Sequence, residues 1–385
     1  MNLFSHYNKD IGEFANRYDF PIDRNHWPES LVPRTLEIAK NLFYGAELDI
    51  ASDGSILVAL EDTSLLALTC LPSRELGAFA THVGTTYFVA INFGLIRFFF
   101  NLSFAIWRDQ RFLSHIRSDI RDLSVLGTDL IPLGFEEIFL DNTFGLSEHI
   151  KHTVSYQCFE KAITFFWLHE IAHILGGHID ILDIYTQSEK SLCIIDEFLS
   201  FSEPYDDETY EPAKNEFPYR ALEIEADHWA LNQIFRQLHQ QIMTDSAGAI
   251  ELICTVVACT LFPLSLHGYK FLQKKFDLAE KHPPLWFRAE YVINSEEKVA
   301  NELWFDERRK QKKFELIRFK QQNLVLLGLT GLSQLHPMFG DWLSPLAEQS
   351  RKSEFQRVYD EAKVTFNPWK NILSHYCHSV KIKAN

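Results

Sequence analysis

The spacing of apolar and polar residues predicts that the chain opens with a helix and a small sheet. Residues 34–44 place apolar side chains at the helical period, and Gly45 follows as a stop. Three short β-rich runs come next, at 46–50, 55–60 and 65–71, and turn-forming residues separate them. Because neighbouring strands joined by tight turns pair antiparallel, the pattern predicts a small antiparallel sheet.

A further strand and another helix follow this sheet. Residues 85–91 have the composition of a strand, and the aromatic-rich residues from Asn92 to about Trp107 are typical of a helix. Residues 108–152 show no clear period, so no element is predicted there.

The second half of the chain contains three helical patterns. The first, at about 155–177, is strongly apolar and ends at a pair of glycines. The second covers 219–237, and the third, at 249–266, is apolar throughout. An acidic segment with two prolines, 196–216, separates the first two helices, and we interpret it as a loop or lid.

These elements predict a mainly helical α+β fold with the small sheet in its N-terminal part. The chain has 385 residues, of which 46 % are hydrophobic, and this is enough to form a large core. We expect three regions. Residues 1–110 would contain the first helix and the sheet, 111–300 a helical core with an acidic insertion at 183–217, and 301–385 a C-terminal helical region.

The net charge of −15 argues against a general nucleic-acid binder, because affinity for phosphate backbones comes from excess Lys and Arg. The basic stretch at 307–320 is a candidate site for an acidic partner, a lipid surface or a nucleic acid. A solvated helix face is the simpler interpretation. We therefore expect no nucleic-acid partner, and the sequence carries no signal for a particular oligomeric state.

Location and membrane association are predicted from the cysteines and the apolar stretches. The first ten residues do not resemble a secretory signal, and the six cysteines include no CxxC pair, which is typical of reduced thiols in the cytoplasm. A membrane span needs about 20 apolar residues. The stretch 252–266 is shorter and contains Pro263, and 87–107 is interrupted by Arg97. We expect a cytoplasmic protein without membrane insertion.

Candidate chemistry lies in the apolar helix predicted at 155–177. His169, Glu170 and His173 form an HExxH pattern. Helical spacing puts the two histidines one turn apart on one face, where they can bind one metal ion while Glu170 handles a water proton. Burial of these three residues in an apolar helix is costly unless a metal ion satisfies them. The pattern therefore predicts a zinc site.

A catalytic zinc site uses three protein ligands, so a third residue is needed. His178 is one candidate, although it lies one residue short of the third histidine in the metzincin pattern HExxHxxGxxH. Glu223 on the second helix is the other candidate. Asp227 lies one turn from Glu223 and can orient a ligand histidine, and Ala226 on the same side allows close helix packing. The spacing favours Glu223.

The combination His169-Glu170-x-x-His173 and Glu223-x-x-x-Asp227 resembles the gluzincins, the thermolysin-like zinc peptidases. The form Glu-Ile-Glu-Ala-Asp is most similar to the CAAX prenyl protease and HtpX group. Soluble ImmA/IrrE-type peptidases and the phage-exclusion protease Lit also resemble the HExxH portion.

Two further pieces of the chain are similar to the HtpX group. Residues 88–96 resemble its strand running into a helix start, and the His-Pro-Pro sequence beginning at His282, with Arg288, resembles its element after the third ligand. The separation between Gly94 and His169 is longer than in those families.

The resemblance implies a zincin-like metallopeptidase core and a zinc-dependent endopeptidase acting on a protein or peptide. In such an enzyme Zn²⁺ polarises the scissile carbonyl and a water molecule. The resemblance assigns the other roles as follows: His169, His173 and Glu223 as metal ligands, Asp227 as the residue that orients a ligand histidine, Glu170 as general base and His282 as an oxyanion donor.

The resemblance also implies a substrate-binding strand. An extended substrate would pair along the edge of the strand that includes Val89, Ala90, Ile91 and Asn92. The alternative function is a non-catalytic zinc-binding regulatory or interaction protein with a zincin-like fold. A closed structural site uses four protein ligands, and His178 would supply the fourth.

Overall fold

The fold is a mixed α+β structure dominated by helices, as the sequence predicts. Several predicted features lie outside the described residues, namely His282 and Arg288, both ends of the helix predicted at 249–266, the basic stretch 307–320 and the acidic segment after Asp196. The computed structural model of the chain describes residues 3–17, 31–108 except 75, 148–186, 194–196, 219–244 and 251–260, and most of 291–302 and of 356–382.

Six helices have defined bounds among the described residues. Four of them, α2, α3, α4 and α6, confirm helices that the apolar period predicts. Helices α1 and α5 were not predicted, and α5 begins at His178, directly after the glycine pair that ends α4. The bounds are α1 Leu3–Arg17, α2 Leu31–Leu42, α3 Phe93–Arg108, α4 Glu148–Leu175, α5 His178–Thr186 and α6 Tyr219–Thr244, and residues 251–260 are also helical.

Among the described residues, six strands form one sheet in the order β1-β2-β3-β5-β4-β6. Strands β1, β2, β3 and β5 confirm predicted strands, whereas β4 and β6 were not predicted. The bounds are β1 Leu48–Ile50, β2 Ile56–Ala59, β3 Leu65–Leu71, β4 Ala78–Val83, β5 Thr86–Asn92 and β6 Ile194–Asp196.

The three strands of the predicted antiparallel sheet, β1, β2 and β3, pair antiparallel and confirm it, whereas the further strand β5 runs parallel to β3. The other neighbouring strands pair antiparallel. After β3 the chain skips one strand position before it forms β4. The tight turn at Gly84, which has a φ of +65°, then returns β5 into the skipped position. Strand β5 therefore runs in the same direction as β3.

The prediction that Val89, Ala90, Ile91 and Asn92 form a substrate edge is wrong. These residues belong to β5, which pairs with β3 on one side and with β4 on the other. Val89, for example, lies opposite both Leu68 and Ala80 in the register. Because both sides of β5 are occupied by neighbouring strands, no extended peptide can add to it.

Both faces of the sheet are covered by helices. Side chains alternate along β5, so that Phe88 packs with Phe14 of α1 at a ring-centroid distance of 4.3 Å. Val89 points to the opposite face and belongs to the larger core beneath α2, α3 and α4. Burial on two faces explains why β3 and β5 are almost continuously apolar.

One hydrophobic core connects the three regions that the sequence predicts. Leu36 from the first region, Phe166 and Leu231 from the second, and Leu373 from the third belong to the same cluster of buried side chains. Helix α4 runs through this cluster and packs against α2, α3, α6 and β4. The helix with the HExxH pattern is therefore the central element of the core.

In the part of the chain that the structure describes, no helix has both the length and the apolar character needed to cross a membrane. The stretch 87–107, the longer of the two apolar stretches, forms β5 and α3 in the protein core, as predicted.

Residues 376–382 form a C-terminal strap that closes over the end of α4. The backbone N–H of His378 donates to the carbonyl of Leu175 at 3.0 Å, and Val380 forms a β-bridge with Leu60. Gly177 has a φ of +73°, and a Cβ at this position would lie 2.7 Å from the backbone of Tyr376. The second glycine of the pair thus provides both the left-handed turn and the space for the strap.

The imidazole of His378 fixes the strap between two carboxylates. Its Nδ1 lies 2.9 Å from Asp62 and its Nε2 lies 2.9 Å from Asp180, which also accepts a hydrogen bond from the Tyr87 hydroxyl at 2.5 Å. Burial opposes protonation of the imidazole, but the hydrogen bonds and charges of the two carboxylates outweigh it and raise the pKa of His378 above 6.5.

We expect the strap to loosen as the pH rises. A histidine whose pKa is raised on folding stabilises the fold fully below the unfolded pKa, and this contribution is lost as the pH rises through the folded pKa. Between pH 6 and 9, His378 should lose about 1 kcal/mol of stabilisation, because its partner Asp62 is half exposed. Thermal unfolding at both pH values measures this loss, and His378→Gln should remove the pH-dependent part. An identical pH dependence in His378→Gln would show that other groups cause it.

Candidate metal centre

Helix α4 presents two histidines to one point in the protein core. His169 and His173 are fully buried, and their Nε2 atoms lie 3.2 Å apart. The helix is fixed in this position by large apolar side chains that precede the motif, including Phe166, which stacks on Phe99 of α3. His169 and His173 therefore lie one helical turn apart on the same face of α4, as the sequence predicts.

Helix α6 brings a carboxylate to the same point. One oxygen of Glu223 lies 3.3 Å from Nε2 of His169, and the other lies 3.5 Å from Nε2 of His173. Ala226 and Ala230 are fully buried on this helix, and such small side chains allow α6 to approach α4 closely. The structure thus places Glu223 with the two histidines, 50 residues further along the chain.

The three donor groups fit one metal ion. In a tetrahedral site with bonds of roughly 2.0–2.1 Å, neighbouring ligand atoms lie roughly 3.3 Å apart. The two Nε2 atoms are 3.2 Å apart, which matches this spacing, and one ligand atom from each of the three residues lies within 4.8 Å of the others. Among the described residues, His169, His173 and Glu223 form the one group of three or more potential ligand side chains that meets the distance requirement for a metal site. Two imidazoles and a carboxylate suit zinc but do not by themselves identify the metal.

The electrostatics of the site also favour a cation. Nδ1 of His169 lies 2.9 Å from the Asp227 carboxylate, which accepts its N–H, so that Nε2 presents a lone pair to the centre. Burial lowers the pKa of His173 well below its ordinary value, against the charge of Glu223, and this keeps the ring neutral. Two lone pairs and a carboxylate therefore converge in a site shielded from solvent, where a cation stabilises all three.

Glu170 lies on α4 between the two histidines in sequence and is only 1 % exposed. A carboxylate can exchange protons with a water molecule when it lies beside a metal ion. The role of Glu170 as general base stays a prediction. His282, the predicted oxyanion donor, lies outside the described residues.

His178 does not join the three potential ligands. Its Nδ1 lies 3.0 Å from Nδ1 of His173, on the side of that ring away from the centre, and its Nε2 lies 3.3 Å from Glu225. The pairing of His178 with Glu225 was not predicted. The two residues are 47 positions apart, and no spacing rule connects them.

Comparisons of the chain with protein-family models, with curated proteins and with solved structures gave no match. Function therefore has to be inferred from the residues of the site and from their arrangement.

Proposed function

We propose that the protein is a zinc-dependent endopeptidase with a zincin-like core. The observation that carries the proposal is the convergence of His169, His173 and Glu223, whose ligand atoms all lie within 4.8 Å of one another. Glu170, which follows His169 on α4, is also buried. A site that only stabilises the fold has no use for a buried carboxylate next to three ligands, whereas a hydrolase needs one as a base.

His169, His173 and Glu223 would hold the ion, which when bound supplies Lewis acidity and lowers the pKa of water. Glu170 takes a proton from the water that attacks the scissile carbonyl carbon. It then gives this proton to the leaving nitrogen as the C–N bond breaks, and the products are a carboxylate and, after the second water proton is also taken up, an ammonium group. Asp227 holds the His169 ring through Nδ1 and keeps its other nitrogen directed at the centre.

A peptide is the proposed substrate because the two motifs together resemble those of the gluzincins. The strand β5 cannot receive it, since β3 and β4 occupy both of its sides. On the β4 side the outer strand among those that the structure describes is β6, which pairs with Phe79, Ala80 and Thr81. A substrate that binds by strand addition would have to use an outer strand and not β5.

The alternative, a non-catalytic zinc-binding protein, requires a closed site with four protein ligands. The proposed fourth ligand was His178, but its two ring nitrogens face His173 and Glu225. This arrangement leaves three protein ligands among the described residues, which is the number typical of catalytic zinc sites. We therefore favour the endopeptidase.

The proposed activity can be tested by identifying new protein N-termini in cells that express the full chain. Cells with the wild-type protein should contain cleavage products that are missing from cells with Glu170→Gln at equal expression. Because the substitution retains the size of the side chain, differences in abundance or folding should be small. The same set of N-termini in both cell lines would contradict the proposal.

A further inference from the structure

The ring of His173 is supported from behind by a second histidine. Nδ1 of His178 lies 3.0 Å from Nδ1 of His173, and the side chain of His178 is 1 % exposed. On its far side, Nε2 of His178 lies 3.3 Å from a carboxylate oxygen of Glu225, which is 46 % exposed. The three side chains form a continuous hydrogen-bonded row from the metal centre to the protein surface.

The direction of each hydrogen bond follows from the first one. If His173 offers its Nε2 lone pair to a metal ion, its hydrogen must be on Nδ1. This N–H can only be donated to Nδ1 of His178 if that nitrogen accepts. His178 then carries its own hydrogen on Nε2, and this N–H is donated to Glu225. In this arrangement each hydrogen bond of the row has one donor and one acceptor, and both imidazole rings carry a single N–H.

We infer that His178 is a positioning residue that holds His173 in the tautomer and orientation needed to bind the metal, and that Glu225 anchors His178. The inference rests on the proposed metal centre. The other ligand histidine, His169, has its own support, since it reaches the carboxylate of Asp227 directly. Thus each ligand imidazole is connected to a carboxylate, in one case directly and in the other through His178.

Gly176 provides the space that this arrangement requires. A Cβ at position 176 would lie 2.7 Å from Nε2 of His178 and 2.8 Å from the carbonyl oxygen of Ala172. Both the imidazole and the backbone would have to move. The first glycine of the pair therefore allows the His178 ring to lie against the end of α4, within reach of both His173 and Glu225.

The inference predicts a loss of metal affinity without the loss of a ligand. Removing an outer partner of a ligand histidine typically weakens metal binding 10- to 100-fold. His178→Phe retains a planar ring without nitrogens and should weaken Zn²⁺ binding by roughly this factor. His178→Gln should restore most of the affinity, because its amide can accept from His173 and donate to Glu225. If glutamine restores the affinity, His178 acts through its hydrogen bonds and not only by filling space.

The measurement is a competition titration of the metal-free full chain with Zn²⁺ against a chromophoric chelator. Glu225→Ala provides a second variant for which folding defects should be small, because this side chain is nearly half exposed. We expect it to weaken Zn²⁺ binding by less than His178→Phe does. Circular dichroism of each metal-free variant establishes whether it is folded.

The results show separately whether the metal centre or only the positioning role of His178 is wrong. If Glu223→Ala binds Zn²⁺ as tightly as the wild type, the metal centre itself is wrong. If Glu223→Ala loses Zn²⁺ while folded His178→Phe and Glu225→Ala bind it with wild-type affinity, the centre stands and the positioning role of His178 is wrong. Weak binding by His178→Gln, equal to that of His178→Phe, would also overturn this role. Should His178→Phe not fold, wild-type affinity in Glu225→Ala alone would overturn it.

Discussion

Replacing Glu170 by glutamine should abolish hydrolysis while the protein keeps its metal ion. Glutamine has nearly the same shape as glutamate but cannot take a proton from water, and general acid–base catalysis contributes roughly 10²- to 10⁴-fold to such rates. Glu170 is not one of the three residues whose donor atoms converge, so metal binding should be unaffected. Initial rates on a peptide mixture and metal analysis of the same preparations test both parts.

Glu302→Gln is a matched control for this substitution. Glu302 is partly exposed and pairs with Arg236 at the surface, so the variant makes the same chemical change outside the site. It should retain the wild-type rate. Equal rates in Glu170→Gln and wild type would exclude Glu170 as the base, whereas loss of metal from Glu170→Gln would show that its carboxylate contributes to binding.

Replacing Glu223 by alanine should remove most of the bound metal. The substitution takes away one of three ligands, and a buried pair of histidines alone is a weak site for a divalent ion. The affinity should fall by more than the 10- to 100-fold that is typical when only an outer partner is lost. Metal analysis after dialysis measures the number of ions per chain.

Two controls make this prediction specific. Glu225→Ala changes the same residue type two positions away on α6. Because Glu225 supports His178 and is not itself a ligand, this variant should retain close to one ion per chain when zinc is supplied well above the wild-type dissociation constant. His178→Ala should also retain close to one ion when zinc is supplied well above the wild-type dissociation constant, because His178 lies behind His173 and outside the group of ligands. Full occupancy in Glu223→Ala together with an empty site in His178→Ala would reverse the assignment of the third ligand.

The sequence was sufficient to predict the helices that carry the site. The apolar run before His169 is long, and the spacing of Glu223 and Asp227 matches one helical turn, so both α4 and α6 could be identified. Local periodicity reports which face of a helix is buried. It does not report which distant helix covers that face, and the approach of Glu223 to the two histidines depends on tertiary packing.

The sheet shows why the remainder could not be predicted. Strand β4, with the sequence Ala-Phe-Ala-Thr-His-Val, contains small and polar residues and has little of the character of a strand. Its presence places β5 inside the sheet and removes the predicted substrate edge. The row from His173 through His178 to Glu225 was missed for a related reason, since it joins the beginning of α5 to the exposed side of α6.

The most direct test of the metal centre is anomalous diffraction at the zinc absorption edge from crystals of the zinc-loaded full chain. We expect one strong peak per chain, within about 2.0–2.2 Å of Nε2 of His169, Nε2 of His173 and a carboxylate oxygen of Glu223. His178 should lie outside the coordination sphere, with its ring against His173. A peak coordinated by His178, or the absence of any peak between α4 and α6, would contradict the metal centre and the endopeptidase proposal that depends on it.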